Sequence, residues 1–168
     1  MPQCRHNHSP IIICMTLIRQ AIFPDDAASL LDIWREFITN SPVNLDYQGN
    51  DAEFANLPGK YAAPQGCVLL AERDGGIDGC VAFRMVSKDI CEMKRLYVRP
   101  NARGNRLGHA LVSRLIVEAR KAGYREIRLD VMEKSATARR LYEQFGFVDA
   151  EPISVNPVPG ASFLGLQI

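Results

Sequence analysis

The stretch Val98-Arg99-Pro100-Asn101-Ala102-Arg103-Gly104-Asn105-Arg106-Leu107-Gly108-His109 decides how the chain is read. An apolar run over residues 90–98 precedes it and ends in Leu96-Tyr97-Val98. Leu107, Leu111, Leu115 and Ala119 follow with helical period, flanked by Ala110 and Val112. A strand therefore runs through a short loop into a helix. Pro100 has no N–H for a ladder and marks the strand's exit. Gly104 and Gly108 allow close approach to the backbone, and Arg103 and Arg106 add positive charge. The first N–H groups of a helix have no internal partner and lie at the positive end of its dipole. Such a turn suits a phosphate or pyrophosphate, although glycine-rich turns of this kind also occur for packing alone. It is neither a Walker loop, since no Lys-Ser or Lys-Thr follows the glycines, nor Gly-x-Gly-x-x-Gly, since Gly104 and Gly108 have no third glycine in register.

Outward from this stretch the pattern continues. Upstream, residues 67–72 and 77–86 read as strands joined by the hairpin signal Arg73-Asp74-Gly75-Gly76, and Ser87-Lys88-Asp89 turns the chain into the strand over 90–98. Three strands joined by short turns predict an antiparallel meander. Downstream, the helix leads through Gly123 to a strand over 125–131, a right-handed crossover that makes those two strands parallel and the sheet mixed. Residues 135–145 form a helix with Ala138, Leu141, Tyr142 and Phe145 on one side and Gly146 at its end; Phe147-Val148 begin a strand, and 162–168 close the sheet. Toward the N-terminus, residues 16–21 read as a strand and 27–38 as a helix with Leu30, Leu31, Trp34, Phe37 and Ile38 inward; Asp25 and Asp26 are placed to cap it. Residues 46–57 are expected to form a shorter helix, and 57–66 and 156–160 are loops by composition.

The length of 168 residues suits one domain, expected over 16–168 behind a loose tail at 1–15, with translation starting at Met1 or at Met15. A formal net charge of +1 argues against general nucleic-acid binding. No apolar run is long enough to span a membrane, and residues 11–18, which imitate a secretory signal, lack a small-residue cleavage site. The five cysteines, Cys4, Cys14, Cys67, Cys80 and Cys91, form neither a Cys-x-x-Cys pair nor a zinc-spaced cluster with histidine. Buried free thiols, a cytoplasmic location and no metal are expected. A homodimer is left open.

The loop Arg103-Gly104-Asn105-Arg106-Leu107-Gly108 resembles the acyl-CoA signature of the GCN5-related N-acetyltransferases, Gln/Arg-x-x-Gly-x-Gly/Ala directly after a strand, with Arg106 in place of the first motif glycine. Leu141-Tyr142-Glu143-Gln144-Phe145-Gly146-Phe147 stands in family order behind it, and the element order agrees over roughly residues 16–168. The resemblance implies an α/β fold with a central mixed, mostly antiparallel sheet flanked by helices. It also implies a splayed parallel strand pair with the pantetheine arm of acetyl-CoA in the gap.

The resemblance further assigns pyrophosphate binding to Arg103, Gly104, Asn105, Arg106 and Gly108, and pantetheine contact to backbone groups of Leu96 and Val98. Ser135 stands where the family has an asparagine that touches the cofactor arm, and Tyr142 matches the general acid that protonates the leaving thiolate. Tyr142 also lies on an apolar helix face, where a plain core tyrosine would sit. Glu92 is the candidate general base, through a water; strand period places it on the face of Leu96, and the alternative is a strand glutamate paired with Lys94 or Arg95. His6 and His8 fall in the tail, and His109 is expected to face solvent. The expected activity is transfer of acetyl from acetyl-CoA to a primary amine of a small molecule or peptide. The alternative is a non-catalytic acyl-CoA sensor of the same fold. The acceptor pocket is expected between residues 27–66 and 156–160.

Overall fold

The computed structural model describes residues 15–168; the tail with His6, His8, Cys4 and Cys14, and the start of the signal-like run, lie outside the described residues. Seven strands form one sheet in the order β1-β2-β3-β4-β5-β7-β6. These are β1 (Leu17–Gln20), β2 (Cys67–Arg73), β3 (Gly76–Met85), β4 (Ile90–Val98), β5 (Glu126–Val131), β6 (Val148–Asp149) and β7 (Ser162–Gln167). The expected meander β2-β3-β4 is antiparallel, and β4 and β5 are parallel. The helices are α1 (Ala27–Thr39), α2 (Asn50–Ala55), α3 (Leu107–Lys121) and α4 (Ala136–Gln144).

Period-two alternation sends each central strand into two cores. Leu69, Val81, Phe83, Met93, Ile127 and Leu129 meet Leu111, Leu115 and Ala119 of α3, Tyr142 of α4 and Phe147. Val68, Leu70, Cys80 and Ala82 point the other way, against Leu30, Ile33 and Trp34 of α1 and Tyr61. Burying each such leucine is worth about 1.5–3 kcal/mol, so the four-residue spacing along α3 fixes how that helix lies on the sheet. Trp34 is wholly buried, as a core residue. Burial also pushes the thiols of Cys67, Cys80 and Cys91 up to about 12, so they stay protonated and unreactive near neutrality.

Three local expectations change. Residues 46–57 are not one helix: a short 3-10 turn (Asp46–Gln48) and α2 are separated by Gly49. Asp26 does not cap α1 through its side chain. Its carboxylate instead accepts two hydrogen bonds from Arg19, at 2.6 and 2.9 Å, and one from the Ile22 N–H, and the Arg19 bond holds its pKa below the ordinary range. The loop over 57–66 contains a further 3-10 turn (Gly59–Tyr61) that buries Tyr61 under α1.

Candidate active site

The turn between β4 and α3 is shaped by two left-handed residues, Gly104 at φ +86° and Arg106 at φ +56°. A Cβ on Gly104 would meet nothing within 4 Å, so glycine is there for its conformation. Arg106 takes its conformation at a cost of about 1–2 kcal/mol, which a glycine at this motif position would not incur. Arg106 is the N-cap of α3 and no side chain caps the helix. The Ala110 N–H donates to the Arg106 carbonyl at 3.0 Å. Leu107, Gly108 and His109 therefore have N–H groups with no acceptor inside the helix, at the positive end of its dipole. A Cβ on Gly108 would lie 3.5 Å from Leu141 Cδ2 and 3.9 Å from Val98 Cγ2, ordinary contacts, so packing alone does not demand glycine.

β4 and β5 pair only from Ile90↔Glu126 to Glu92↔Arg128; beyond that they separate. β4 also carries a bulge, because Val81 of β3 stands opposite both Arg95 and Leu96, and Arg95 sits at φ +61°. The bulge reverses the alternation. Cys91, Met93, Leu96 and Val98 belong with the α3–α4 core, whereas Tyr97 packs under α1 and Arg95 lies over the rings of Trp34, Phe37 and Phe54. Glu92 and Leu96 thus occupy opposite faces of the sheet, not the same one.

The separation of β4 and β5 opens into a groove of about 940 Å³. Leu96, Val98, Arg103, Gly104, Arg106, Gly108, Ser135 and Tyr142 all line it. Glu92 and Asn105 do not; Asn105 faces a smaller cleft with Thr16 and Arg73. Arg103 folds back over Tyr97 and donates from Nε to the Val98 carbonyl at 2.9 Å, which engages one of the backbone groups expected to face the cofactor arm. Ser135 precedes α4, and its hydroxyl makes no capping bond. His109 is half-buried and stacks on Phe145 with centroids 4.5 Å apart, rather than facing solvent. Tyr142 is buried beside Phe147; desolvation, and then the charge of Asp130, push its hydroxyl above the ordinary phenol range, so it holds its proton at neutral pH.

On the other face of the sheet a chain of charges of alternating sign reaches the groove. The Arg95 Nη2 donates to Asn50 Oδ1 at 2.7 Å and to Glu53 Oε1 at 2.8 Å. Arg84 lies 3.6 Å from Glu53 and donates to Glu92 at 2.9 Å. Lys94 Nζ stands 3.6 Å from Glu92 and 3.8 Å from Asp130, and Asn156 donates to Asp130 at 2.7 Å. Lys94, Arg95 and Asp130 line the groove together with Phe37, Asn40 and Val43, so part of the expected 27–66 wall lines the groove, while residues 156–160 do not line it and only Asn156 touches it, through Asp130. The sequence reading missed Lys94 and Asp130 as site residues. Charges inside apolar strands are seldom buried unless paired, and that was the signal available.

Residues 29–147 match the model of the acetyltransferase (GNAT) family. An uncharacterized N-acetyltransferase of Schizosaccharomyces pombe is 37% identical over 147 residues, 86% of this chain and 90% of its own length. The IAA acetyltransferase of Azospirillum brasilense is 35% identical across 61% of this chain and 69% of its own. The structure of yncA from Salmonella typhimurium with its cofactor acetyl-CoA superposes at a TM-score of 0.69, with 23% identity, covering 91% of this chain and 94% of the other. With a family match spanning the crossover from α1 to Phe147, and a close relative aligned over most of both lengths, the chain belongs to the acetyltransferase (GNAT) family.

Proposed function

We propose that the protein transfers the acetyl group of acetyl-CoA directly to a primary amine, both substrates being bound in the one groove. The observation that carries this is the convergence on a single groove of the unpartnered N–H groups of α3, the open edge of β4 and the Tyr142 hydroxyl. The residues fit the cofactor: the α3 turn offers main-chain donors and arginine charge to a pyrophosphate, and the β4 edge offers strand donors and acceptors to the pantetheine amides. Acetyl-CoA supplies the electrophilic thioester carbon and a sulfur leaving group.

Positioning the amine against that carbon accounts for much of the expected rate gain. The Leu96 N–H, just after the bulge, polarises the carbonyl; one such donor is worth about 3 kcal/mol. As the nitrogen–carbon bond forms, the carbon–sulfur bond breaks and its electron pair stays on sulfur. Tyr142 gives sulfur its proton and is reprotonated by a proton released from the nitrogen. With ordinary values of roughly 10 for tyrosine and 8.5 for a thiol the transfer is uphill by about 2 kcal/mol, and burial of Tyr142 adds to that. Tyr142 therefore keeps its proton until charge has developed on sulfur. Glu92, engaged by Arg84 and outside the groove wall, acts as the counter-charge of Lys94, and Asp130, which lines the groove, takes the first proton of the acceptor ammonium.

A sensor role drew on the departures at Arg106 and Ser135. Arg106 keeps the left-handed turn and the Ser135 hydroxyl makes no cap bond, so neither departure favours it. The first test is thermal. Acetyl-CoA should raise Tm by mass action, fragments that retain the pyrophosphate should keep much of the shift, and a pantetheine fragment should not. Equal stabilisation by pantetheine would remove the α3 turn from the site.

A further inference from the structure

Lys94 is the side chain that the acetyl transfer described so far leaves without a task. It is nine-tenths buried, at 10% exposure, and lines the groove. Its ammonium approaches Glu92 and Asp130 only to 3.6 and 3.8 Å, beyond hydrogen-bond reach, and no hydrogen bond to it occurs among the described residues. Its three donors are thus held in place by charge and left for something else. The lysine stem is buried while its ammonium, paired in charge with Glu92 and Asp130, opens on the groove, where a ligand can take up its donors in place of solvent. Arg95 differs, because the aromatic rings of Trp34, Phe37 and Phe54 cover its guanidinium.

Asp130 stands beside Lys94 and also faces the groove. One of its oxygens is fixed by Asn156, and the other is the one that faces Lys94. The two side chains form a dipole, with the acid on β5 and the ammonium on β4, where the strands part. A zwitterion laid head-to-tail against it satisfies both without adding net charge: ammonium on Asp130, carboxylate on Lys94. In an α-amino acid these groups share one carbon, which suits a pair of side chains this close together. A polyamine would bring cations to Lys94 and Arg95, and the internal residues of a peptide would bring no carboxylate.

We propose that the acceptor is an amine with a free carboxylate next to its amino group, an α-amino acid in form, held between Asp130 and Lys94. This rests on the acetyltransferase reading above. Lys94 is a specificity residue that orients the acceptor and takes no part in bond making.

The test is steady-state thiol release at saturating acetyl-CoA with the standard amino acids, their α-carboxamides, polyamines and short peptides. The best amino acid should exceed its own amide in kcat/KM by on the order of 10- to 100-fold, mostly through KM, as expected for a lost hydrogen bond to a charged group. Lys94→Met should bring that ratio close to one, and Lys94→Arg should preserve it, with circular dichroism and stabilisation by acetyl-CoA confirming both variants as folded. A purely structural lysine would lower acid and amide turnover together and leave the ratio intact, which would overturn the proposal. So would an amide that matches its acid in the wild type. Turnover of polyamines or peptides but of no amino acid would overturn it while leaving the acetyltransferase reading standing; the absence of amine-dependent thiol release with every compound would bring down both.

Discussion

At the α3 end of the groove the groups offered to a ligand are main-chain N–H groups, set by three residues of one turn, Gly104, Arg106 and Gly108. At the opposite end they are side chains delivered by separate elements: Lys94 and Arg95 from β4, Asp130 from β5, with Asn50 and Glu53 of α2, Arg84 of β3 and Asn156 behind them. The first end depends on backbone shape, which a substitution perturbs only by changing φ or blocking approach. The second depends on charge balance among residues far apart in sequence, where removing one member leaves another buried and unpaired. A family can therefore keep its first substrate through one short motif while the second substrate varies. Tyr142 also lines the groove, and burial first, then the charge of Asp130, keep its hydroxyl protonated.

The sharpest way to separate the two ends is Tyr142→Phe. The ring keeps its place beside Phe147, so acetyl-CoA affinity should hold while turnover falls by about 10²-fold or more. Because the Tyr142 pKa is raised, the protonated acid persists upward in pH, and wild-type activity should show no loss of this acid at the ordinary tyrosine value of roughly 10. Parallel pH–rate profiles and binding titrations of both proteins check this; a core tyrosine would instead give a small loss of stability with turnover unchanged.

Next in size is Gly108→Val. The Cβ position is tolerated by Leu141 and Val98, so folding should survive. Acetyl-CoA affinity should drop by about tenfold or more, the scale of one lost charge-assisted hydrogen bond. Titration calorimetry alongside circular dichroism measures both, and unchanged affinity would break the contrast by removing the backbone cradle. The smallest effect is expected for Arg106→Gly. It relieves a left-handed arginine and should stabilise the protein by about 1 kcal/mol in denaturant titrations, with a weaker loss of acetyl-CoA affinity than Gly108→Val produces.

What could be read from sequence follows the same division. The spacing of Leu107, Leu111, Leu115 and Ala119 placed α3 on the sheet, and the apolar run placed β4 at its observed bounds, Ile90–Val98, because local pattern governs both. The cofactor role of the turn came from the family resemblance, whereas its strand–turn–helix path around Gly104 was legible from local pattern. The bulge at Arg95 was not: its φ of +61° is held by Asn50, Glu53 and three rings, partners that only the tertiary structure brings together. A bulge in this strand was one expected way for Glu92 to be turned away, but plain period-two spacing put Glu92 with Leu96, and only the position of the bulge at Arg95 separates them. Asn105 was expected at the groove through its main-chain N–H, and its side chain lines the neighbouring cleft with Thr16 and Arg73.

The central claim, that this groove performs acetyl transfer, is tested most directly by incubating the full chain with acetyl-CoA and a mixture of primary amines. Free thiol and acetylated product are then quantified in the same reaction. The account predicts equal amounts of thiol and N-acetyl product, both dependent on amine and both suppressed in the Tyr142→Phe variant. Binding of acetyl-CoA with no amine-dependent thiol release from any acceptor class would contradict it.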